Sequence, residues 1–131
     1  MRNNIVDILV GRPGYIGSNG RTGENIVQAE KELGVKFAED YYMYLKEIGL
    51  ACFDGHEFTG LTQIPRLDVV RVTQEQRKRF EMVELSWYVV EVANIDEMVM
   101  WQDVEGTIYA TMPYAKIKKI ANSLSEYIMN F

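Results

Sequence analysis

The hydrophobic period of the chain changes near residue 87, and this change restricts the folds that are open to it. Apolar residues recur with helical spacing over residues 24–33 and 38–48, and a glycine follows each segment. From residue 87 onward, β-branched and aromatic runs alternate with turn-like segments. The order predicted along the chain is therefore helices, then strands, then a short last helix.

The second half of the chain carries the signals for the strands. An antiparallel meander is predicted at 87–93, 98–102 and 107–111. One face of a strand points outward, so one apolar member of 98–102 is expected to be exposed. Residues 116–120 alternate polar and apolar, as an edge strand does, and their lysines discourage further pairing. In the first half, Asp54-Gly55 predicts a tight turn between two extended pieces.

Two pairs of residues have the spacing of a capping box and predict helix starts. Thr73 with Gln76 predicts a third helix, and Ser123 with Glu126 predicts a short last helix. The segment 3–9 is short and apolar, so its hydrophobic period does not distinguish a helix turn from a strand. The chain as a whole is expected to form one domain.

Length and composition narrow the class of protein. The 131 residues suit a single domain, and 47% hydrophobic with 25% charged residues is typical of globular proteins. An apolar run of the roughly 20 residues that cross a bilayer is absent, and the N-terminus lacks a signal-peptide pattern. The single cysteine, Cys52, cannot form an internal disulfide. We therefore expect a cytoplasmic protein with no membrane partner.

The charge of the chain is unevenly distributed. The net charge is −5, and residues 81–110 contain no Lys or Arg. The acidic residues of this stretch are Glu81, Glu84, Glu91, Asp96, Glu97, Asp103 and Glu105. Such a field repels phosphate backbones and attracts basic proteins, so nucleic acid is not an expected partner. A solvated surface that only keeps the protein soluble remains the alternative.

Catalytic and ligand motifs are weak. Cys52 and His56 could form a nucleophile pair, but no signature marks either as activated, and one Cys with one His cannot fill a zinc shell. The glycine-rich segment 11–23 could cradle a phosphate. It departs from the Walker A spacing and has Arg21 in place of Lys, so a mobile surface loop is the preferred interpretation. Magnesium binding by carboxylates alone, through Asp96, Glu97 or Asp103, stays open as an alternative, although turn carboxylates are usually only turn residues. No catalytic residue, metal site or cofactor is predicted.

The segment 29–61 resembles the N-terminal signature of the SUKH superfamily, which groups bacterial immunity proteins with a fungal cell-wall-assembly regulator. Matching positions are Glu30, Leu33, Gly34, Tyr41, Leu45, Gly49, Gly60 and Leu61. Ala38 stands where members usually have proline, and 50–52 lack the further glycines that members often have. The resemblance covers residues 24–131 as a family-like core and leaves 1–23 as an N-terminal segment.

This resemblance implies an α+β fold with a mixed, mostly antiparallel sheet flanked by N-terminal helices and a short C-terminal helix. It also implies a non-enzymatic protein that binds and neutralises a cognate polymorphic toxin domain, such as a nuclease or deaminase. An acidic surface would accelerate binding to a basic toxin, and aromatic residues would prolong it. The predicted contact residues are Glu91, Asp96, Glu97, Trp101, Asp103 and Glu105. The alternatives are an interaction or regulatory module without a toxin partner, and a phosphate-ligand binder that uses residues 11–23. The oligomeric state stays open.

Overall fold

The computed structural model describes residues 4–93 and 95–131, and Asn3 and Asn94 of the predicted segments lie outside them. The helices in this part are α1 (Ile5–Val10), α2 (Gly23–Leu33), α3 (Glu39–Glu47), α4 (Val69–Arg79) and α5 (Leu124–Met129), with a 3-10 helix at Pro65–Leu67. The strands are β1 (Ile16–Gly17), β2 (Ala51–Phe53), β3 (His56–Glu57), β4 (Tyr88–Val92), β5 (Val99–Gln102), β6 (Ile108–Thr111) and β7 (Lys118–Ala121). The predicted α+β fold is confirmed.

The strands form two antiparallel sheets. One has the order β1-β2-β3 and the other the order β4-β5-β6-β7, which confirms the predicted hairpin, meander and edge strand. A single antiparallel bridge between Phe58 and Glu91 joins the two sheets. A parallel bridge between Gly60 and Asp68 adds a parallel pairing to the antiparallel strands of the described residues.

The four-stranded sheet is covered on both faces. Helices α1, α2, α3 and α5 contribute to the larger core on one face. The second core includes Val72, Phe80 and Trp101, so α4 and the segment that follows it cover the other face. All four residues of β5 are buried, so the expectation that an apolar residue of 98–102 is exposed is wrong for this strand.

Helix α4 starts earlier than its sequence signal predicted. Asp68 is the N-cap and its carboxylate accepts the N–H of Arg71, whereas Thr73 lies inside the helix. The buried hydroxyl of Thr73 accepts the N–H of Val89 in β4 at 3.0 Å. A threonine hydroxyl can accept a free backbone N–H at the start of a helix, but the N–H that Thr73 accepts belongs to a neighbouring strand. The cap of α5 by Ser123 is confirmed, because its hydroxyl accepts the N–H of Glu126.

A buried group of hydroxyls connects α3 to both sheets. Tyr44 donates to the carbonyl of Thr59 at 2.9 Å and accepts the N–H of Ala51 at 3.0 Å. The hydroxyl of Thr59 accepts from Tyr41 and donates to the carbonyl of Val89 at 2.7 Å. Burial raises the pKa of Tyr44, so the phenol stays neutral and keeps its proton for this bond. These bonds fix the helix against the sheet junction.

Replacement of Tyr44 by Phe should destabilise the protein by about 1–3 kcal/mol, because a buried carbonyl and a buried N–H lose their partner. Urea unfolding of both variants measures this difference. The matched change Tyr42→Phe, at a half-buried tyrosine of the same helix, should cost less than about 0.5 kcal/mol. Equal losses in the two variants would contradict the assignment.

Candidate protein-binding surface

The six residues predicted to form a partner surface do not lie together. Asp96 and Glu97 lie in the turn between β4 and β5, and Asp103 and Glu105 lie in the turn between β5 and β6. These turns are at opposite ends of β5, a strand of four residues that is roughly 13 Å long. Glu97 is also paired with Arg79 at 3.1 Å, so part of its charge is neutralised.

Glu91 was predicted at the surface and is instead in the interior, with 3% of its surface exposed. The pairing of β4 with β5 shifts register between Val89 and Glu91, and this bulge departs from the regular alternation of side chains. Glu91 accepts the hydroxyl of Tyr127 at 2.6 Å and lies 2.9 Å from Nδ1 of His56. A partner protein cannot reach this carboxylate, and the prediction for Glu91 is wrong.

Trp101 is also buried, and its prediction as an exposed anchor is wrong. Its indole N–H donates to the hydroxyl of Thr111 at 2.9 Å. The ring belongs to the second core, together with Val83 and Trp87. The strand pattern alone does not show that Trp101 is covered, because the covering residues come from α4 and from the irregular segment after it.

The hairpin of β2 and β3 separates the two residues of the Cys52 and His56 pair that the sequence offered as an alternative. Cys52 pairs with Glu57 and Phe53 pairs with His56, so the thiol and the imidazole lie on opposite faces of the hairpin. They do not form a nucleophile pair. The imidazole instead faces Glu91. Across residues 4–93 and 95–131, no three His, Cys, Asp or Glu side chains are grouped to hold a metal ion.

The glycine-rich segment lies on the surface and is fixed at several points. Arg21 donates its side-chain Nε–H to the carbonyl of Leu61 at 2.8 Å. Gly20 lies against the carbonyl of Lys46, where a Cβ atom would collide. At the start of α2, the hydroxyl of Thr22 accepts a helix N–H, so a side chain occupies the place where a phosphate would bind. These contacts suit a structural role for the segment.

One end of the four-stranded sheet gathers acidic residues from two distant parts of the chain. Gln102 donates to Asp40 at 2.9 Å and to the carbonyl of Gly106 at 3.0 Å. It thereby ties the first turn of α3 to the turn between β5 and β6. The surface formed there is referred to as the acidic end, and it consists of Glu39, Asp40, Asp103, Val104 and Glu105.

The carboxylates of Asp40 and Asp103 are held in place. Asp103 accepts the N–H groups of Glu105 and Thr107, each at 3.0 Å, and the hydroxyl of Tyr109 at 3.2 Å. The second oxygen of Asp40 accepts the N–H of Leu124 at the start of α5. Both charges therefore have fixed positions, which reduces the entropy cost of binding a partner.

Neighbouring tyrosines respond to the negative potential of this region. Burial raises the pKa of Tyr88 well above its usual range, and the charges of Asp40 and Asp103 raise it further. Burial raises the pKa of Tyr109 as well, and Asp103 is the next cause. Glu39 and Glu105 are exposed at the same end, and so is Val104.

Sequence reasoning missed Glu39 and Asp40 as members of this surface. Both residues lie in the first turn of α3, where acidic residues are favoured by the helix dipole alone. The sequence offered no signal that this turn would meet Gln102, which lies 62 residues away. The contact between Asp40 and Gln102 forms only when these two distant segments of the chain pack together.

The fold and this end of the sheet define a small α+β domain with an acidic surface at one end of its four-stranded sheet. A family model described as SMI1-KNR4 cell-wall, SUKH_5, matches residues 3–131, and the chain belongs to this SUKH family. Members are generally non-catalytic immunity or regulatory proteins that bind partner proteins. The match includes most of the N-terminal segment that the sequence resemblance left outside the core.

No curated protein matches the chain significantly. Among the helices of the described residues, none combines the length and apolar character needed to cross a membrane.

Replacement of Gln102 by Leu should destabilise the protein by about 2–4 kcal/mol, because Asp40, Tyr88 and the carbonyl of Gly106 lose a buried partner. Thermal and urea unfolding measure the change. The control Gln28→Leu alters an exposed glutamine and should stay within about 0.5 kcal/mol of the wild type. A loss for Gln102→Leu no larger than that of the control would contradict this role.

The Asp103→Asn variant should lower the pKa of Tyr109, because the tyrosinate is no longer opposed by a neighbouring negative charge. Asparagine keeps an oxygen that can accept the N–H bonds of the turn. Nuclear magnetic resonance of carbon-13-labelled tyrosine follows the titration. Glu105→Gln should lower the same pKa by less, and a larger effect from Glu105 would contradict the geometry.

Proposed function

We propose that this chain is a non-enzymatic immunity protein that binds a cognate polymorphic toxin domain in the cytosol and neutralises it. The observation that carries the proposal is the acidic end, where fixed carboxylates and exposed acidic side chains are presented together. A toxin that acts on nucleic acid has a basic surface where phosphates bind. A protein bound over that surface excludes the nucleic acid.

In this proposal, the residues of the acidic end have different roles. Asp40 and Asp103 supply fixed negative charge, while Glu39 and Glu105 steer the toxin during its approach. Val104 is exposed at the same turn and contributes apolar contact. Asp96 and Glu97 are at the opposite end of β5 and add only to the long-range field.

Co-expression with the C-terminal domain of the nearest encoded secreted protein tests the proposal. Rescue of growth together with a purified complex is the expected result. Toxicity without rescue would reject this pairing. A domain that binds without being toxic would favour the alternative function, an interaction or regulatory module.

Charge reversal tests the surface. The double variant Glu39→Lys and Glu105→Lys should lower the association rate constant with the toxin domain on the order of 10-fold at low salt. Its matched control, Asp96→Lys with Glu81→Lys, makes the same change in charge at exposed positions away from the acidic end. Stopped-flow binding over a range of salt concentrations measures both variants.

Asp103 is left unchanged in this experiment because its carboxylate also holds the turn together. If the Glu39 and Glu105 double variant keeps the rate and salt dependence of the wild type, the assignment of the acidic end is wrong. If both double variants slow binding equally, the effect comes from net charge and not from this surface.

A further inference from the structure

Strand β7 lies at an open edge of the four-stranded sheet. It pairs with β6 on one side, and no other strand of residues 4–93 and 95–131 pairs with it on the opposite side. An edge strand presents a row of unpaired backbone N–H and C=O groups, with which another strand can pair. Three of the four residues of β7 are exposed, namely Lys118, Lys119 and Ile120. Another protein can therefore reach this edge.

Three lysines give this edge a concentrated positive charge. Lys116, Lys118 and Lys119 are all exposed, and they are the only Lys or Arg residues between positions 81 and 131. None of them forms an ion pair with a carboxylate of the described residues. The chain has a net charge of −5, yet its own acids leave these three ammonium groups unpaired. The surface formed by residues 116–120 is referred to as the basic edge.

The lysines determine which strand the basic edge can accept. A second copy of β7 laid alongside the first would bring lysines close to lysines, and like charges on adjacent strands are destabilising. The lysines therefore protect the edge against its own copies. An acidic strand reverses the sign of the same interaction, because opposite charges on adjacent strands are stabilising.

We infer that the basic edge binds an extended acidic segment of another protein, which adds to the sheet as a fifth strand. The backbone of the added segment pairs with the open side of β7. Its Asp or Glu side chains form charge-assisted hydrogen bonds with the lysines. A nucleic acid matches the charge of the lysines, but it lacks the peptide groups that continue the hydrogen bonds of a sheet.

The pairing of β7 with β6 limits the length of the added strand. Ala121 is opposite Ile108 and Lys119 is opposite Tyr109, so Ile120 is an extra residue that forms a bulge. Because a bulge interrupts regular pairing, the added strand extends from Ile120 toward Lys116. Lys118 and Lys119 are consecutive, so they lie on opposite faces of the sheet. An acidic side chain on either face of the added strand therefore meets a lysine.

The inference does not depend on the proposed function, because the basic edge and the acidic end share no residue. The contact involves only a few residues, so we expect it to be weak in isolation. A dissociation constant on the order of 1 mM is expected for a short peptide, and it should increase with salt because the lysines are exposed to solvent.

Nuclear magnetic resonance of the nitrogen-15-labelled protein tests the inference, with a blocked octapeptide of alternating Glu and Thr as the probe. The backbone amide signals of residues 117–120 should shift as the octapeptide is added. The same octapeptide with alternate backbone nitrogens methylated keeps its charge but cannot pair as a strand, so it should leave these signals unchanged. An octapeptide with Lys in place of Glu should not bind.

Charge reversal identifies the residues that select the acidic segment. Lys118→Glu with Lys119→Glu should weaken binding of the Glu octapeptide on the order of 10-fold or more. The matched control, Lys31→Glu with Lys78→Glu, makes the same change in charge at exposed lysines outside the basic edge and should change binding by about 2-fold or less. Lys118→Gln with Lys119→Gln should give an intermediate loss. Circular dichroism checks that each variant folds.

The other outcomes overturn the inference. Unchanged signals at residues 117–120 would leave the lysines with a protective role only. Equal binding of the methylated octapeptide would exclude strand addition, and equal losses in the two charge-reversed variants would show an effect of net charge alone. A single-stranded oligonucleotide that shifts these signals when the Glu octapeptide does not would identify the basic edge as a nucleic-acid surface.

Discussion

The four-stranded sheet is buried on both faces, and the polar side chains on it therefore need partners inside the protein. A buried polar group without a partner costs about 1–3 kcal/mol. Glu91, Gln102 and Thr111 all lie on this sheet with almost no exposure, and each has a hydrogen-bond partner. Those partners come from α3, α5 and neighbouring strands. These bonds fix the positions of α3 and α5 relative to the sheet.

The two ends of the sheet differ in the charges that they present. At one end, the buried amide of Gln102 binds the carboxylate of Asp40 and holds acidic residues from α3 beside the turn that contains Asp103. At the other end, Arg79 reaches across to Glu97 and leaves a nearly neutral, apolar surface around Tyr114. One domain therefore presents a charged surface and an apolar surface about one strand length apart.

Most of the secondary structure followed from local signals. Gly34 adopts the left-handed conformation expected after a helix, and Asp54 with Gly55 forms the predicted turn between two strands. Thr73 and Glu91 show where local signals fail. A threonine hydroxyl can accept a backbone N–H at a helix cap or in a contact between distant segments, and a local signal does not distinguish the two. A bulge that redirects Glu91 depends on the pairing of two strands, which no short window of sequence contains.

The sequence by itself determined the α+β class, the meander, most of the helix ends and the family, because these depend on periodicity, capping and a local block of residues. It also determined that residues 81–110 are acidic. Only the tertiary structure decided which of these acids are accessible. Glu91 became a buried partner of Tyr127, whereas Asp103 joined Asp40 through Gln102. The physical reason is that a charge acts through its distance to others and its exposure to water, and both are set by packing between distant segments.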